Sequence, residues 1–187
     1  GLEAKIMVSG DATLLDEASH IVLPGVGAFA DCLAGLNAVP GMREGLEINV
    51  RERGKPFLGI CVGMQLMARM GLEHGKWPGL GWIDGEVVPL APSDTGLKIP
   101  HMGWNNLDFS EGVHPVLEGI GPGTHAYFVH GYHFALENPD DGLAAIDYGG
   151  PVAALIGRDN LLGTQFHPEK SQKAGLRFLE NFLRWRP

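Results

Sequence analysis

Residues 56–65 read PFLGICVGMQ, in which a cysteine stands between two glycines directly after an apolar run. The run at 56–61 has the near-continuous hydrophobicity of a strand buried on both faces of a parallel sheet. A helix is predicted to follow, so Cys61 would lie at the carboxyl edge of the sheet, where open α/β folds build their sites. Gly59 and Gly63 would leave room for a tight turn, as glycines do around the serine of a nucleophile elbow.

Two interpretations of the Cys61 thiol remain open from this stretch alone. The N-terminus of a helix would stabilise the thiolate and supply a nucleophile near neutral pH. A buried cysteine is, however, also a small hydrophobic residue, and the glycines could then serve packing only. Other parts of the chain must decide between a catalytic and a structural thiol.

The chain has 187 residues, of which 44% are hydrophobic, and this fits one compact domain. Its formal charge of -8, from 14 Lys+Arg and 22 Asp+Glu, argues against a nucleic-acid or anionic-membrane partner. Two cysteines do not form a disulfide framework, and the opening GLEAKIMVSG resembles neither a signal peptide nor a membrane span. We therefore expect a cytoplasmic protein with free thiols.

Alternating apolar and amphipathic runs predict an α/β domain with a mainly parallel sheet. Between the early strands, residues 41–54 predict a crossover helix with Met42, Leu46 and Val50 on one face. Ser171 is expected to cap a final helix whose apolar stripe consists of Leu176, Leu179, Phe182 and Leu183. Short apolar runs predict strands at residues 4–8, 20–25, 56–61, 85–90, 144–148, 152–157 and 160–166.

The segment GTQFHPEKSQ, residues 163–172, offers partners for the thiol. His167 and Glu169 are two residues apart, so an extended backbone through Pro168 would direct both side chains to the same side. His167 could then act as the base toward Cys61, and Glu169 could orient the imidazole. A plain polar strand end is the alternative, because the chain contains 8 histidines and spacing alone does not single one out.

A loop with small side chains follows the strand predicted at 20–25. Its sequence PGVG, residues 24–27, would lie at the same sheet edge as Cys61 and offer backbone N–H groups. Together with the N–H of Val62 it could form an oxyanion hole, in which losing one donor typically costs about 3 to 4 kcal/mol of transition-state stabilisation. An ordinary strand-to-helix turn is the alternative, and the G-x-G-x-x-G spacing of dinucleotide sites is absent.

The segments PGVGAF, GICVGMQ and FHPEKSQ, in that order, resemble class I glutamine amidotransferases. With KIPHMGWN (98–105) and YFVHGYH (127–133), the chain is similar, nearly end to end, to the glutaminase subunits of imidazole glycerol phosphate synthase. The resemblance implies a three-layer, flavodoxin-like fold. It also implies hydrolysis of glutamine to glutamate and ammonia through a thioester, with ammonia passed to a cyclase subunit in a heterodimer of histidine biosynthesis. No metal or organic cofactor is implied.

The resemblance also assigns roles to individual residues of this chain. The catalytic triad would be Cys61, His167 and Glu169. The oxyanion hole would be formed by Val26, Gly27 and Val62. Substrate would be bound by Gly25, Gln65, Gly131 and Tyr132. The cyclase subunit would contact Pro100, Met102, Trp104 and Asn105, for which core packing is the alternative.

Two features depart from the family's pattern. Gly131 stands where relatives usually have serine, so a hydroxyl contact to substrate would be lost. Relatives also open with a strand and a helix that have no counterpart here, so we expect the domain at 1–187 to be an N-terminal truncation. Residues 4–8 should then either pair directly with residues 20–25 or leave an exposed seam beside them.

Two other functions remain open. One is a glutaminase for another pathway, such as anthranilate or pyridoxal phosphate synthesis, and the segment KIPHMGWN favours the histidine pathway over it. The other is a noncatalytic binding subunit that retains the fold. The presence of Cys61, His167 and Glu169 weighs against this second alternative.

Overall fold

The computed structural model describes residues 4–187, and its main element is a five-stranded sheet. The strands of this part of the chain are β1 (Ile21–Gly25), β2 (Phe57–Cys61), β3 (Met70–Gly71), β4 (Trp77–Pro78), β5 (Gly85–Pro89), β6 (His101–Asn106), β7 (His125–His130), β8 (Tyr132–Leu136), β9 (Gly142–Asp147), β10 (Pro151–Arg158) and β11 (Leu161–Thr164). The main sheet has the order β1-β2-β11-β10-β9. Because only β10 is antiparallel to its neighbours, the other four strands point the same way.

Two smaller sheets complete the β structure of the described residues. One has the order β4-β3-β5-β8, and the other is the antiparallel pair β6-β7. In that pair His101 lies opposite His130, Met102 opposite Val129 and Trp104 opposite Tyr127. The register matters for function, because β7 carries residues of the candidate site while β6 lies outside it.

Helices flank the main sheet and confirm the predicted α/β class. They are α1 (Phe29–Ala38), α2 (Met42–Leu46), α3 (Val62–Gln65) and α4 (Gln172–Arg184), with a π-helical turn at Glu47–Glu52 and 3₁₀ turns at Ala12–Leu15, Pro115–Leu117, Pro139–Asp141 and Pro168–Lys170. None of the helices described is both long enough and apolar enough to cross a membrane.

The predicted crossover helix at 41–54 forms as α2 followed by the π-helical turn. Its predicted apolar face is confirmed, since Met42, Leu46 and Val50 are all buried in the core. Gly54 follows with φ of 68°, the left-handed conformation in which helices commonly end. In the next strand, β2, every residue is buried, as its continuous apolar run predicts.

The strand predicted at residues 4–8 is wrong. These residues form no strand, and the side chains of Ile6 and Val8 are 79% and 98% exposed. An apolar run becomes a strand only where a neighbouring strand can bond its backbone, and residues 4–8 do not pair with β1. Strand β1 lies at the edge of the main sheet and pairs, within residues 4–187, with β2 alone.

The last helix, α4, differs from its prediction in two details. Ser171 occupies the N-cap position, but its hydroxyl donates to the His167 carbonyl at 2.7 Å instead of capping the helix. Leu176, predicted to be part of the apolar stripe, is exposed, and Phe178 lies in the core in its place. The buried face runs through Gly175, Phe178 and Phe182, a spacing of three and four residues that keeps them on one side of the helix.

Candidate active site

A cavity of about 230 Å³ opens at the carboxyl ends of β1 and β2, the sheet edge at which sites of open α/β folds are expected. Drug-sized ligands occupy pockets of about 300 Å³ or more. This smaller cavity therefore suits a compact substrate such as an amino acid. Its lining consists of Val26, Gly27, Cys61, Val62, Gln65, Glu73, Val129, His130, Gly131, Tyr132 and His167.

Cys61 lies on a tight turn between β2 and α3, as the sequence predicts. Its backbone has φ of 54° and ψ of -112°, a strained conformation for a residue other than glycine. A Cβ atom at Gly59 would lie 2.6 Å from the Gly63 carbonyl oxygen, and one at Gly63 would collide with the Leu23 carbonyl. The two glycines are therefore required by the close approach of three backbone segments, and the elbow geometry is confirmed.

The environment of the Cys61 sulfur favours the thiol over the thiolate. Burial raises the pKa of Cys61 to about 11. Hydrogen bonds to the sulfur from the Val62 N–H and the Gln165 amide lower this pKa and so offset part of the rise. The expectation of a free thiolate near neutral pH is therefore wrong for the site without substrate. The reason is that desolvation by burial is the largest influence on this thiol, and the two hydrogen bonds offset it only in part.

His167 and Glu169 form the predicted pair by a different local geometry. Nδ1 of His167 lies 2.8 Å from Oε1 of Glu169, but the intervening backbone enters the 3₁₀ turn Pro168–Lys170 instead of staying extended. The turn still directs both side chains to one side. His167 is buried, whereas the Glu169 side chain is 51% exposed.

The other ring nitrogen of His167 is available for chemistry. Nε2 is buried and has no hydrogen-bond partner among the described residues. His167 and Cys61 both line the cavity, so a proton acceptor and a thiol face the same volume. The backbone N–H of His167 donates to the Tyr127 carbonyl at 2.9 Å, which fixes the backbone of this base against β7.

The PGVG loop borders the cavity as predicted, through Val26 and Gly27. Gly27 has φ of 105°, which a residue with a side chain rarely adopts. The carbonyl of Val26 accepts a hydrogen bond from Cys32 Sγ at 3.3 Å. This contact ties helix α1 to the loop.

The predicted substrate residues divide into two groups. Gln65, Gly131 and Tyr132 line the cavity, whereas Gly25 lies behind it. A Cβ atom at Gly25 would lie 2.8 Å from the Gly63 nitrogen, so this glycine allows β1 and the elbow to approach. A Cβ atom at Gly131 would meet only Ile99 Cγ2, at an ordinary 3.7 Å, so a serine would fit there sterically.

Four residues around the cavity were not predicted from the sequence. Glu73, Val129 and His130 line it, and Gln165 lies directly behind Cys61. Val129 and His130 directly precede Gly131, and Gln165 lies two residues before His167, but only the fold shows that they contact the site. Within residues 4–187, no group of three or more His, Cys, Asp or Glu side chains is placed to hold a metal ion.

Comparison with known proteins identifies the class to which the chain belongs. The family model for class I glutamine amidotransferases matches residues 4–185 of the chain. A solved structure described as a glutamine amidotransferase superimposes with a TM-score of 0.67 at 20% identity, covering 93% of this chain and 84% of that one. The structure of PurLQS from Thermotoga maritima gives a TM-score of 0.63 at 18% identity, covering 90% and 80%. At such low identity these two structures establish the fold alone.

Curated relatives define the family within that class. The chain is 58% identical to the imidazole glycerol phosphate synthase subunit HisH of Rhodospirillum rubrum, covering 100% of this chain and 87% of that protein. It is 52% identical to the protein of the same name from Ruegeria pomeroyi, covering 98% and 86%. The chain therefore belongs to the HisH family of class I glutamine amidotransferases.

Proposed function

We propose that the chain hydrolyses glutamine to glutamate and ammonia through a triad of Cys61, His167 and Glu169, as the glutaminase subunit of a cytoplasmic imidazole glycerol phosphate synthase. One observation carries this proposal: a strained elbow cysteine and the free Nε2 of a carboxylate-bonded histidine face one small cavity. A nucleophile, a base and an orienting carboxylate are the groups that acyl transfer from an amide requires.

The chemistry follows from the positions of these groups. The Cys61 sulfur attacks the carboxamide carbon of glutamine while its proton passes to His167 Nε2. His167 then gives that proton to the departing nitrogen, so ammonia leaves and a thioester remains. Water, deprotonated by the same imidazole, attacks the thioester, and its cleavage restores the thiol and releases glutamate. Because burial keeps Cys61 protonated at neutral pH, the base is needed in the first step.

The tetrahedral intermediates carry a negative oxygen that needs hydrogen-bond donors. The N–H of Val62, directly after the nucleophile, is one candidate, and the backbone of Val26 and Gly27 borders the same cavity. Each donor aimed at a developing oxyanion is typically worth about 3 to 4 kcal/mol. This oxyanion assignment is supported by the cavity that Val26, Gly27 and Val62 share with Cys61.

The partner is proposed to be a cyclase subunit that binds beside the cavity on strand β6. Met102 and Trp104 are 65% and 46% exposed on this strand, and Pro100 precedes it at the surface. Strand β7, paired directly with β6, contributes Val129 and His130 to the cavity wall. A protein docked on β6 would therefore lie one strand away from the place where ammonia forms.

Neighbouring contacts add to the character of this surface. The rings of Trp104 and Tyr127 meet edge to face with centroids 5.7 Å apart, and the Lys170 ammonium lies 5.7 Å from the Tyr127 ring centre. Asn105 is held by a bond from its amide to the Asp147 carbonyl. Exposed aromatic and Met side chains are enriched in protein interfaces, which supports a docking role for Met102 and Trp104.

Replacing Trp104 by alanine is expected to weaken association with the cyclase more than folding. A central interface tryptophan typically contributes about 2 kcal/mol or more, so we expect roughly a thirtyfold increase in Kd by titration calorimetry. Trp77→Ala is the matched control, because Trp77 is similarly exposed but belongs to a different sheet. A steep fall in melting temperature with unchanged Kd would identify Trp104 as a core residue instead.

The function itself is tested by measuring glutamate release from glutamine with and without a histidine-pathway cyclase. We expect release that depends on the chain and rises when the cyclase is added. Stimulation by an anthranilate or pyridoxal phosphate synthase subunit instead would assign the glutaminase to another pathway. Binding to the cyclase without any glutamate release would identify a noncatalytic subunit.

A further inference from the structure

A series of hydrogen bonds between polar groups connects strand β6 to the Cys61 sulfur. His101 Nδ1 lies 3.1 Å from His130 Nε2, and His130 Nδ1 lies 2.8 Å from the Tyr132 carbonyl oxygen. Gln65 Nε2 lies 3.2 Å from the same oxygen and 3.1 Å from Gln165 Oε1. This series of hydrogen bonds ends at Gln165, whose Nε2 lies 3.7 Å from Cys61 Sγ.

The donor and the acceptor of each hydrogen bond in this series follow from the chemistry of the two groups that form it. Burial lowers the pKa of His130 to about 4, so the ring is neutral near pH 7 and carries one N–H. The Tyr132 carbonyl can only accept, so that N–H is at Nδ1 and Nε2 must accept from His101. The histidine pair thus fixes the tautomers of both rings and holds the Tyr132 carbonyl in place.

The same carbonyl fixes the orientation of the two glutamines. Gln65 must direct its NH₂ group toward Tyr132, and its second hydrogen then points to Gln165 Oε1. With Oε1 of Gln165 accepting, the NH₂ group of Gln165 is the end that faces the sulfur. An amide NH₂ group is a donor only, so Gln165 can donate to Cys61 and cannot accept from it.

We infer that Gln165 is a positioning residue for the glutaminase reaction, holding the Cys61 sulfur and stabilising its thiolate by donating a hydrogen bond from Nε2. This inference rests on the proposed role of Cys61 as nucleophile. Gln165 does not line the cavity and contacts the nucleophile through the sulfur.

The other groups around the sulfur show why such a donor is useful. Glu169 acts by its charge to disfavour the thiolate, and Glu73 adds a further carboxylate to the cavity wall. His130 is neutral, and His167 must be free to take the proton. Besides His167, the groups that favour the charged sulfur are the Val62 N–H and the Gln165 amide. Both are uncharged dipoles held by the fold.

Alkylation of Cys61 tests this inference without any use of glutamine. The full chain is treated with iodoacetamide at pH 7 to 10, below the pKa of about 11 to which burial raises the Cys61 thiol, and the rate of modification of the Cys61 peptide is followed by mass spectrometry. Gln165→Met keeps the length of the side chain and removes the donor. Because a hydrogen bond to a charged group is worth about one pKa unit or more, we expect the alkylation rate at each pH in this range to fall about tenfold.

Thr164→Val is the matched control for this variant. Thr164 precedes Gln165, is equally buried and has a hydroxyl without a hydrogen-bond partner among the described residues. Thr164→Val should keep the alkylation rate of Cys61 within about twofold of the rate in the parent chain. Circular dichroism and thermal melting establish that each variant folds. An unchanged alkylation rate in folded Gln165→Met would overturn the inference.

Gln65→Met provides a second test, which holds even if Gln165→Met does not fold. It removes the group that orients Gln165, so the alkylation rate should fall below that of the parent chain. If Gln165→Met folds, its rate should fall further than that of Gln65→Met, and the double variant should match Gln165→Met alone, since the effect passes through Gln165. An unchanged rate in Gln65→Met, or a further fall in the double variant, would contradict this series of hydrogen bonds. Loss of turnover in Cys61→Ser is a separate result and tests only the proposed function.

Discussion

Replacing Cys61 by serine is expected to abolish glutaminase turnover, with a loss of about a thousandfold or more, while the fold remains intact. Serine preserves the Cβ atom and nearly the size of the side chain, so the strained elbow and its glycine contacts are retained. Its hydroxyl is far harder to ionise than a thiol, and the site already raises the pKa of the sulfur to about 11. Steady-state glutamate release and a thermal melt measure the two effects.

Cys32→Ser is the matched control for this experiment. Cys32 lies outside the cavity, and a serine hydroxyl could still donate to the Val26 carbonyl that Cys32 now contacts. Its turnover should stay within about threefold of the parent chain. A glutamine-analogue electrophile should label Cys61 in the parent chain and in this control. Parent-like turnover in Cys61→Ser, or absence of that label, would exclude Cys61 as the nucleophile.

The parts of the fold that sequence predicted correctly are those determined by local pattern. The continuous apolar run of β2 and the 3.6-residue periodicity of Met42, Leu46 and Val50 each reflect burial of a single element. Residues 4–8 are also mostly apolar, apart from Lys5, but form no strand, since a strand also needs a bonded neighbour. Local pattern reports which residues prefer burial, and only the assembled sheet shows which of them are paired.

The candidate site shows the same division. The elbow and the His167–Glu169 pair follow from residues two apart, even though the backbone between the latter is a 3₁₀ turn. The hydrogen bond between Gln65 and Gln165 joins residues 100 apart in the chain, and no spacing rule signals it. The pKa of Cys61 was predicted in the wrong direction because burial, which raises it most, is a property of the whole fold.

Replacing His167 by alanine is expected to reduce turnover by about a thousandfold or more, whereas Glu169→Gln should reduce it by only about ten- to hundredfold. His167 Nε2 is the unpaired buried nitrogen that faces the cavity with Cys61, and alanine leaves no group to take the thiol proton. Glutamine at 169 can still accept the Nδ1–H bond through its amide oxygen and so preserve the tautomer. Glu169→Gln removes the negative charge that stabilises the imidazolium of His167.

The size of the Glu169 effect follows from its exposure. The carboxylate is 51% exposed and therefore screened by water, so its charge contributes less than that of a buried orienting carboxylate. Its charge also raises the pKa of Cys61, and the loss of that unfavourable influence offsets part of the cost. Glu180→Gln, the same substitution on α4 outside the cavity, is the matched control and should leave turnover nearly unchanged. Measured kcat values that fall equally in His167→Ala and Glu169→Gln would mean that the two residues act as one unit, contrary to the separate roles of base and orienter.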